Sequence, residues 1–531
     1  MTCWNFRIFD STQLANSGKF QSWQEAVLVI PYIVAFKGTA NQAGAKTPNF
    51  LSLKNGYWSI IHSMSIDYNG TNVVQLTPYL NMYCSYKALT SWSVNDSQKY
   101  GATCNFFKDS VDSIQWSNTA AVSGKGVLNN RIQISALTDF VSGAAATLPV
   151  QISAMWNDGL RNRCLNTNFY NQGSIGANFL SAVNSPAVGT SNFTATGDIT
   201  AGADTSGFTF YYNYVCTIPL KFLSDFFDKL PLLKGGQMRI TINYNAGSLQ
   251  VAAVGAGGNL NVASLPTLTA GQTIPYQFLS AAANNPNVTL AADTLSIASN
   301  VNSVTPSGGA TVTHNVIQSC RLYLTLYTMN PIYEEQYNSM NPTKEVVYRD
   351  IYQYTVSGIG TQQFNNLLSN GITSPKTLIL IPFINSSTAG QFSDLAGFNS
   401  LNSPFSAGPS QPDPCLALAN FNCQLSGVNI FSSNVTYGYE MYLNEVSRVN
   451  SLNGGQTIGL SSGLLSQHDW ERGYRYIVVD LSRGFRADDF IPKSVLINGQ
   501  NYSTKTIDLY CFIEFERRLN ISVSSGAIVQ V

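Results

Sequence analysis

The chain writes one phrase twice. "EAVLVIPYIVAF" begins at Glu25 and "KTLILIPFINSS" at Lys376; each is an apolar run broken by a proline with an aromatic directly behind it, Pro31-Tyr32 and Pro382-Phe383. A second shared step follows each phrase, Leu322-Tyr323 in "RLYLTLYTM" and Leu509-Tyr510 in "DLYCFIEFE", in the same order but after a far longer gap in the first half. Strand-like runs repeated in one order read as two related β units, the first elaborated and the second compact. Chance likeness between apolar strands is the competing explanation. A proline cannot donate to a ladder, so Pro31 and Pro382 are both expected near a strand end, at a sheet edge or at a bulge.

Strand periodicity extends well beyond the repeated phrase. In "MRITINYN", Met238, Ile240, Ile242 and Tyr244 fall on one face and Arg239, Thr241 and Asn243 on the other, the period of two that marks a half-buried strand. "YRYIVVDLS" from Tyr474 has similar β-branched and aromatic content. Loops rich in Gly, Asn, Ser and Pro separate these runs, and the fold class is all-β. One segment departs from it. In "IPLKFLSDFFDKLPLLKGG", Leu220, Leu223, Phe226, Phe227 and Leu230 fall at helical spacing between Pro219 and Pro231, which predicts one short amphipathic helix with a core-facing aromatic stripe.

A chain of 531 residues exceeds one ordinary core. Units of about eight strands with long connections suit a jelly roll better than a small barrel. The expected architecture is two tandem eight-stranded jelly-roll β-sandwiches. The first spans residues 1–338, with insertions at 116–150 and 171–206 and an outer excursion at about 246–314; the second, compact one spans 339–531. The boundary near Asn338 rests on the Asn-Pro steps at Pro331 and Pro342, natural places to leave one sandwich and enter another.

Composition then limits function. Charged residues are 11% of the chain, against roughly 25% in an average soluble protein, which favours a subunit largely buried in an assembly. Lys+Arg and Asp+Glu balance at 29 each, so no global field is available to capture nucleic acid. The first thirty residues carry no basic arm, and Arg472, Arg475, Arg483 and Arg486 are interspersed with Glu471, Asp480, Asp488 and Asp489; no direct nucleic-acid binding is expected. The start "MTCWNFRIFD" does not read as a signal peptide. Nine cysteines without a CxxC pair read as reduced thiols. Asn-x-Ser/Thr triplets, as at Asn69 and Asn434, are what so Asn- and Ser-rich a chain yields by chance.

No catalytic, cofactor-binding or metal site is expected, and no enzyme activity. His62, His314 and His468 stand in unrelated contexts. "HDWER" offers His468 beside Asp469 and Glu471, but after Ser466 it reads as a capped helical turn rather than a ligand set. The carboxylate pairs Glu334-Glu335 and Asp488-Asp489 read as solvated charges.

Taken together, "FFDKLPLLKGGQMRITINYN", "NPIYEEQY", "NPTKEVVYRDIYQYTV" and "KTLILIPFIN" resemble the double jelly-roll major capsid proteins of adenovirus-like and PRD1-like icosahedral DNA viruses, nearest to the virophage and Polinton-like members. The resemblance runs from about Glu25 to Glu516 and rests on strand phrases and their order. It implies a virion protein made inside the host cell, whose homotrimer is a pseudo-hexagonal capsomer. Neighbouring capsomers and a penton or minor capsid protein are the implied partners, with or without an internal membrane beneath. Two other readings compete: an exported carbohydrate-binding or adhesive protein of two β-sandwiches, and a single jelly-roll capsid protein with large loops.

Overall fold

The computed structural model describes residues 6–12, 16–38, 49–109, 159, 162–163, 208–253, 260–264, 273–280, 294–305, 311–314, 317, 319–340, 342–384, 418–449, 462–483, 491–502, 506–523 and 525–530. The expected insertions at 116–150 and 171–206 lie outside the described residues. So do parts of the excursion at 246–314.

Strands dominate, in chain order β1 (Phe6–Asp10), β2 (Phe20–Gly38), β3 (Asn49–Leu53), β4 (Ile61–Tyr68), β5 (Thr71–Thr77), β6 (Phe208–Pro219), β7 (Leu233–Lys234) and β8 (Met238–Tyr244). Then come β9 (Gly247–Ala253), β10 (Leu260–Ser264), β11 (Tyr276–Ser280), β12 (Thr294–Val301), β13 (Ser303–Val304), β14 (Val312–Thr313) and β15 (Arg321–Tyr327). The second half holds β16 (Thr343–Ile359), β17 (Gln363–Ile372), β18 (Pro375–Ile384), β19 (Leu418–Leu425), β20 (Val428–Asn429), β21 (Ile477–Asp480), β22 (Lys493–Asn501), β23 (Ile507–Ser522) and β24 (Ile528–Gln530).

In the second half the sheets run β16-β23-β18-β21 and β17-β22-β19-β20. Counted from one to eight, the orders are 1-8-3-6 and 2-7-4-5, all neighbours antiparallel. That is the jelly roll, in which each sheet draws alternately from both ends of the strand sequence. The first half repeats it. One sheet is β1-β8-β4-β5, and β2 pairs with β6 on one side and with β12 and β15, end to end, on the other. Positions two to eight are thus filled by β1, β2, β4, β5, β6, β8 and the pair β12/β15. Position one, held by β16 in the second half, has no strand among the described residues.

The repeated phrases occupy β2 and β18, position three of each unit. Their finer registers differ. Leu322 lies opposite Leu28 but Leu509 lies opposite Pro382, so the shared Leu-Tyr step marks the same strand and not the same rung. Pro382 is near its strand end, as expected. Pro31 sits inside the long β2, where pairing passes from β15, which begins opposite Val29, to β12, which ends opposite Tyr32. Its carbonyl accepts from Asn302 N at 3.1 Å in that gap. A residue's N and O point to the same neighbour in an antiparallel ladder, so the missing donor faces the break.

β8 alternates buried and part-exposed residues along its length, as its sequence predicts. The helical reading of 219–236 is corrected: residues Leu220–Phe222 form a 3-10 turn and Asp225–Lys229 a separate short helix. Ser224 divides them, its hydroxyl accepting from Phe226 N and starting a new helix. The stripe still faces the core, with Leu220, Leu223, Phe226, Phe227 and Leu230 buried.

More helix is present than one segment. In order the helices are α1 (Leu80–Ser91), α2 (Val94–Cys104), α3 (Asp225–Lys229), α4 (Pro331–Met340), α5 (Tyr439–Val449) and α6 (Gln467–Arg472). α1 escapes sequence reading because ten of its residues, polar Asn81, Ser85 and Thr90 among them, are buried all round the helix and leave no apolar stripe. α2 opens with a capping box between Ser93 and Asp96. Ser93→Ala should lower stability by about 1 kcal/mol in denaturant unfolding; no change would mean that tertiary packing alone fixes that helix start.

Connections are distributed unequally between the two ends. Tight turns join β4 to β5 at Asn69-Gly70 and β19 to β20 at Ser426-Gly427, all four residues at positive φ, the hairpin geometry that matches strand twist. The long connections, 39–60, 78–207, 245–293, 385–417 and 430–476, all leave from the opposite end. Both units face the same way: Asn69, at the tight-turn end of the first, donates to the carbonyl of Gly526 beyond the end of β23. Within 246–314, β12 pairs with both β2 and β9, so the main sheet runs into this excursion without a break.

Candidate functional site

The polar groups that carry structural work lie where the two units meet. α1 leaves β5 of the first unit and packs against the second, Tyr83 beside Phe512 and Tyr86 beside Tyr476. Its Lys87 ammonium is 2.9 Å from Glu514 on β23, and Arg349 on β16 reaches the other carboxylate oxygen at 3.0 Å. Tyr83 donates its hydroxyl to the same carboxylate at 2.7 Å. Glu514 is 1% exposed. Burial alone would raise its pKa; the charges of Lys87 and Arg349 and the hydrogen bonds from Tyr83 and Lys87 outweigh burial and bring it to about 2.

A second cross-link ties β5 to β16. Arg517 holds Asp350 at 3.1 Å and donates to the carbonyls of Val73 and Asn72. Gln75 and Thr77 donate to Ile351 O at 2.6 and 2.9 Å. Here burial wins, and the Asp350 carboxyl lies above its ordinary value despite Arg517 and the backbone donors. A third cross-link joins Lys108 to Asp469 on α6 at 2.7 Å, and Tyr474 donates to the carbonyl of Asp109, whose carboxylate is paired with the buried Arg163. Lys54, buried nearby, has its ammonium pKa pushed well down by burial, with Asp109 opposing. One continuous apolar core runs through both units. Three such cross-links and the shared core join the two sandwiches.

The three histidines stay apart. His62 is buried against Tyr79, its pKa lowered to about 4 by burial. His314 is buried with Nε2 3.1 Å from Tyr214 O and Nδ1 accepting from Ile317 N. His468 lies on α6, which begins with the Ser466–Asp469 capping box. Among the described residues no three His, Cys, Asp or Glu side chains cluster as metal ligands. Glu334 pairs with Lys234, Arg483 with Glu445, and Arg475 lies over the Trp470 ring; Arg486, Asp488 and Asp489 lie outside the described residues. Cys84, Cys104, Cys216, Cys320, Cys423 and Cys511 are free thiols. No helix among the described residues is long and apolar enough to cross a membrane.

A second feature is on the surface. Along β15, α4 and β16 the chain exposes Tyr323, Tyr327, Ile332, Tyr333, Met340, Val347 and Tyr354. None of the residues of α4 is buried. Sequence reading took β15 as a strand and the segment after it only as the passage between the two units.

No protein-family model and no curated protein matches the chain. Similar solved structures do exist. The mavirus major capsid protein is 8% identical, with a TM-score of 0.44 over 99% of this chain and 86% of that one. A chain of the Sputnik virophage is 12% identical, with a TM-score of 0.43 over 100% and 87%. The Faustovirus major capsid protein is 10% identical, with a TM-score of 0.33 over 98% and 90%. At these scores the fold rests on the strand orders themselves, 2-7-4-5 in both units and 1-8-3-6 in the second. The fold is a double jelly roll.

Proposed function

We propose that the chain is the major capsid protein of an icosahedral DNA virus, assembling as homotrimeric, pseudo-hexagonal capsomers. The observation that carries this reading is the fixed pairing of two jelly rolls whose five longest connections all leave from one end. A rigid two-sandwich block has unlike left and right flanks. A head-to-tail contact between them closes into a ring when its rotation permits, and three copies present six sandwiches. The decorated end then faces outward and the short-turn end inward.

The division falls near Asn338, inside α4. The exposed apolar residues on α4 and its flanking strands suit an interface with another copy, since interface cores favour aromatic residues and Met and are depleted of charge. Neighbouring capsomers and a vertex or minor protein would complete the shell, in a virion assembled inside the host cell. An adhesive protein of two sandwiches has no need of an exposed aromatic flank on each copy, and a single jelly roll would not account for the second set of sheets.

Native mass spectrometry of the purified chain is expected to give a trimer, with contacts burying above ~2,000 Å² each as in permanent assemblies. A monomer that persists at micromolar concentration would turn the reading to the adhesive protein.

A further inference from the structure

We infer that the turn between β16 and β17 forms a binding site for neutral carbohydrate. A cleft of about 500 Å³ opens there, lined by residues 356–366 and Thr506, within the roughly 300–1,000 Å³ of small-molecule sites. It lies at the end that carries the long connections. Its rim is made of Ser357, Thr361, Gln362, Gln363 and Asn365, all exposed, while the ring of Phe364 between them turns to the other face of β17 and packs on Gly499 and the core.

Ligand class follows from what the lining offers. None of the described lining residues is charged, so their own chemistry is that of neutral polar groups. Amide and hydroxyl groups both donate and accept, which suits the paired hydroxyls of a sugar. The frame is fixed in advance. Buried Asn501 donates to the carbonyls of Ile359 and Gly360 at 3.3 and 3.2 Å, and Asp508 accepts from Gly358 N at 2.8 Å. A turn held from behind by two side chains loses little entropy when a ligand enters. Gly360 opens onto the cleft, for a Cβ built there meets nothing within 4 Å.

Saturation-transfer NMR on the full chain tests this, with the methyl glycosides of glucose, galactose, mannose and N-acetylglucosamine as probes at millimolar concentration. At least one glycoside should receive saturation through its ring protons. Gln363→Ala with Asn365→Ala should weaken that affinity by about tenfold, as loss of one or two hydrogen bonds does. Gly360→Phe, which fills the cleft, should abolish it at unchanged thermal stability. Absence of transfer to all four glycosides overturns the inference, and so does transfer undiminished in the double variant. The double variant alters only exposed side chains, so it decides the matter even should Gly360→Phe not fold. Neither result depends on the shell reading, which the trimer measurement tests separately.

Discussion

Replacing Glu514 by alanine is expected to destabilise the protein by about 2–3 kcal/mol in denaturant unfolding, because it removes the buried acceptor of charge-assisted hydrogen bonds and leaves the buried Tyr83 hydroxyl without a partner, while the two cations left behind are partly exposed. Lys87 and Arg349 both point at that carboxylate from opposite units, and Tyr83 spends its hydroxyl on it. Removing the whole set should cost far less: with Lys87→Met, Tyr83→Phe and Arg349→Met added to Glu514→Leu, most of the lost stability should return. A loss below about 1 kcal/mol for Glu514→Ala would show that solvent reaches the site and screens the pair.

Acid provides a second handle on the same group. The folded carboxyl titrates near 2 and its ordinary value is 4.5, so its contribution is complete above about pH 4.5 and is lost as pH falls toward 2. The size is on the order of 3 kcal/mol. Asp350 acts in the opposite sense, since burial raises its pKa above 3.8; it accepts a proton more readily folded than unfolded and offsets part of the loss. An acid titration of wild type and Glu514→Gln should therefore converge as pH falls below 4.5. Parallel curves would mean that Glu514 does not carry the acid sensitivity.

The strands were legible from sequence because alternation is a local property. Met238 to Tyr244 shows it plainly, and the proline-aromatic phrase led to position three of both units. The junction was not legible, since its partners stand far apart in the chain: Tyr83 and Glu514 are separated by 431 residues. One signal was available. Glu514 interrupts "CFIEF", an otherwise apolar run, and a carboxylate in a buried strand requires cations around it. α1 gave no such signal, because a helix clasped on all sides needs no stripe. Ser224 was equally quiet: a capping serine within a helical pattern divides one expected helix into a turn and a shorter helix.

The surface of α4 leads to the prediction with the largest functional consequence. Ile332→Asp with Tyr333→Asp should weaken self-association by at least about 100-fold, because a charge placed in an interface core must be desolvated without a partner. Both side chains are 66% exposed in the single chain, so the substitutions remove no intramolecular core contact and should leave the unfolding midpoint of the isolated subunit unchanged. That separation distinguishes an interface from a folding defect. Sedimentation of the variant should show a folded monomer at concentrations where wild type is expected to be a trimer. If the variant still forms trimers, the contact between copies lies on another flank, and β16 with its exposed Val347 and Tyr354 is the next surface to charge. α4 joins the two sandwiches and follows directly from β15, so a contact made there touches both units at once.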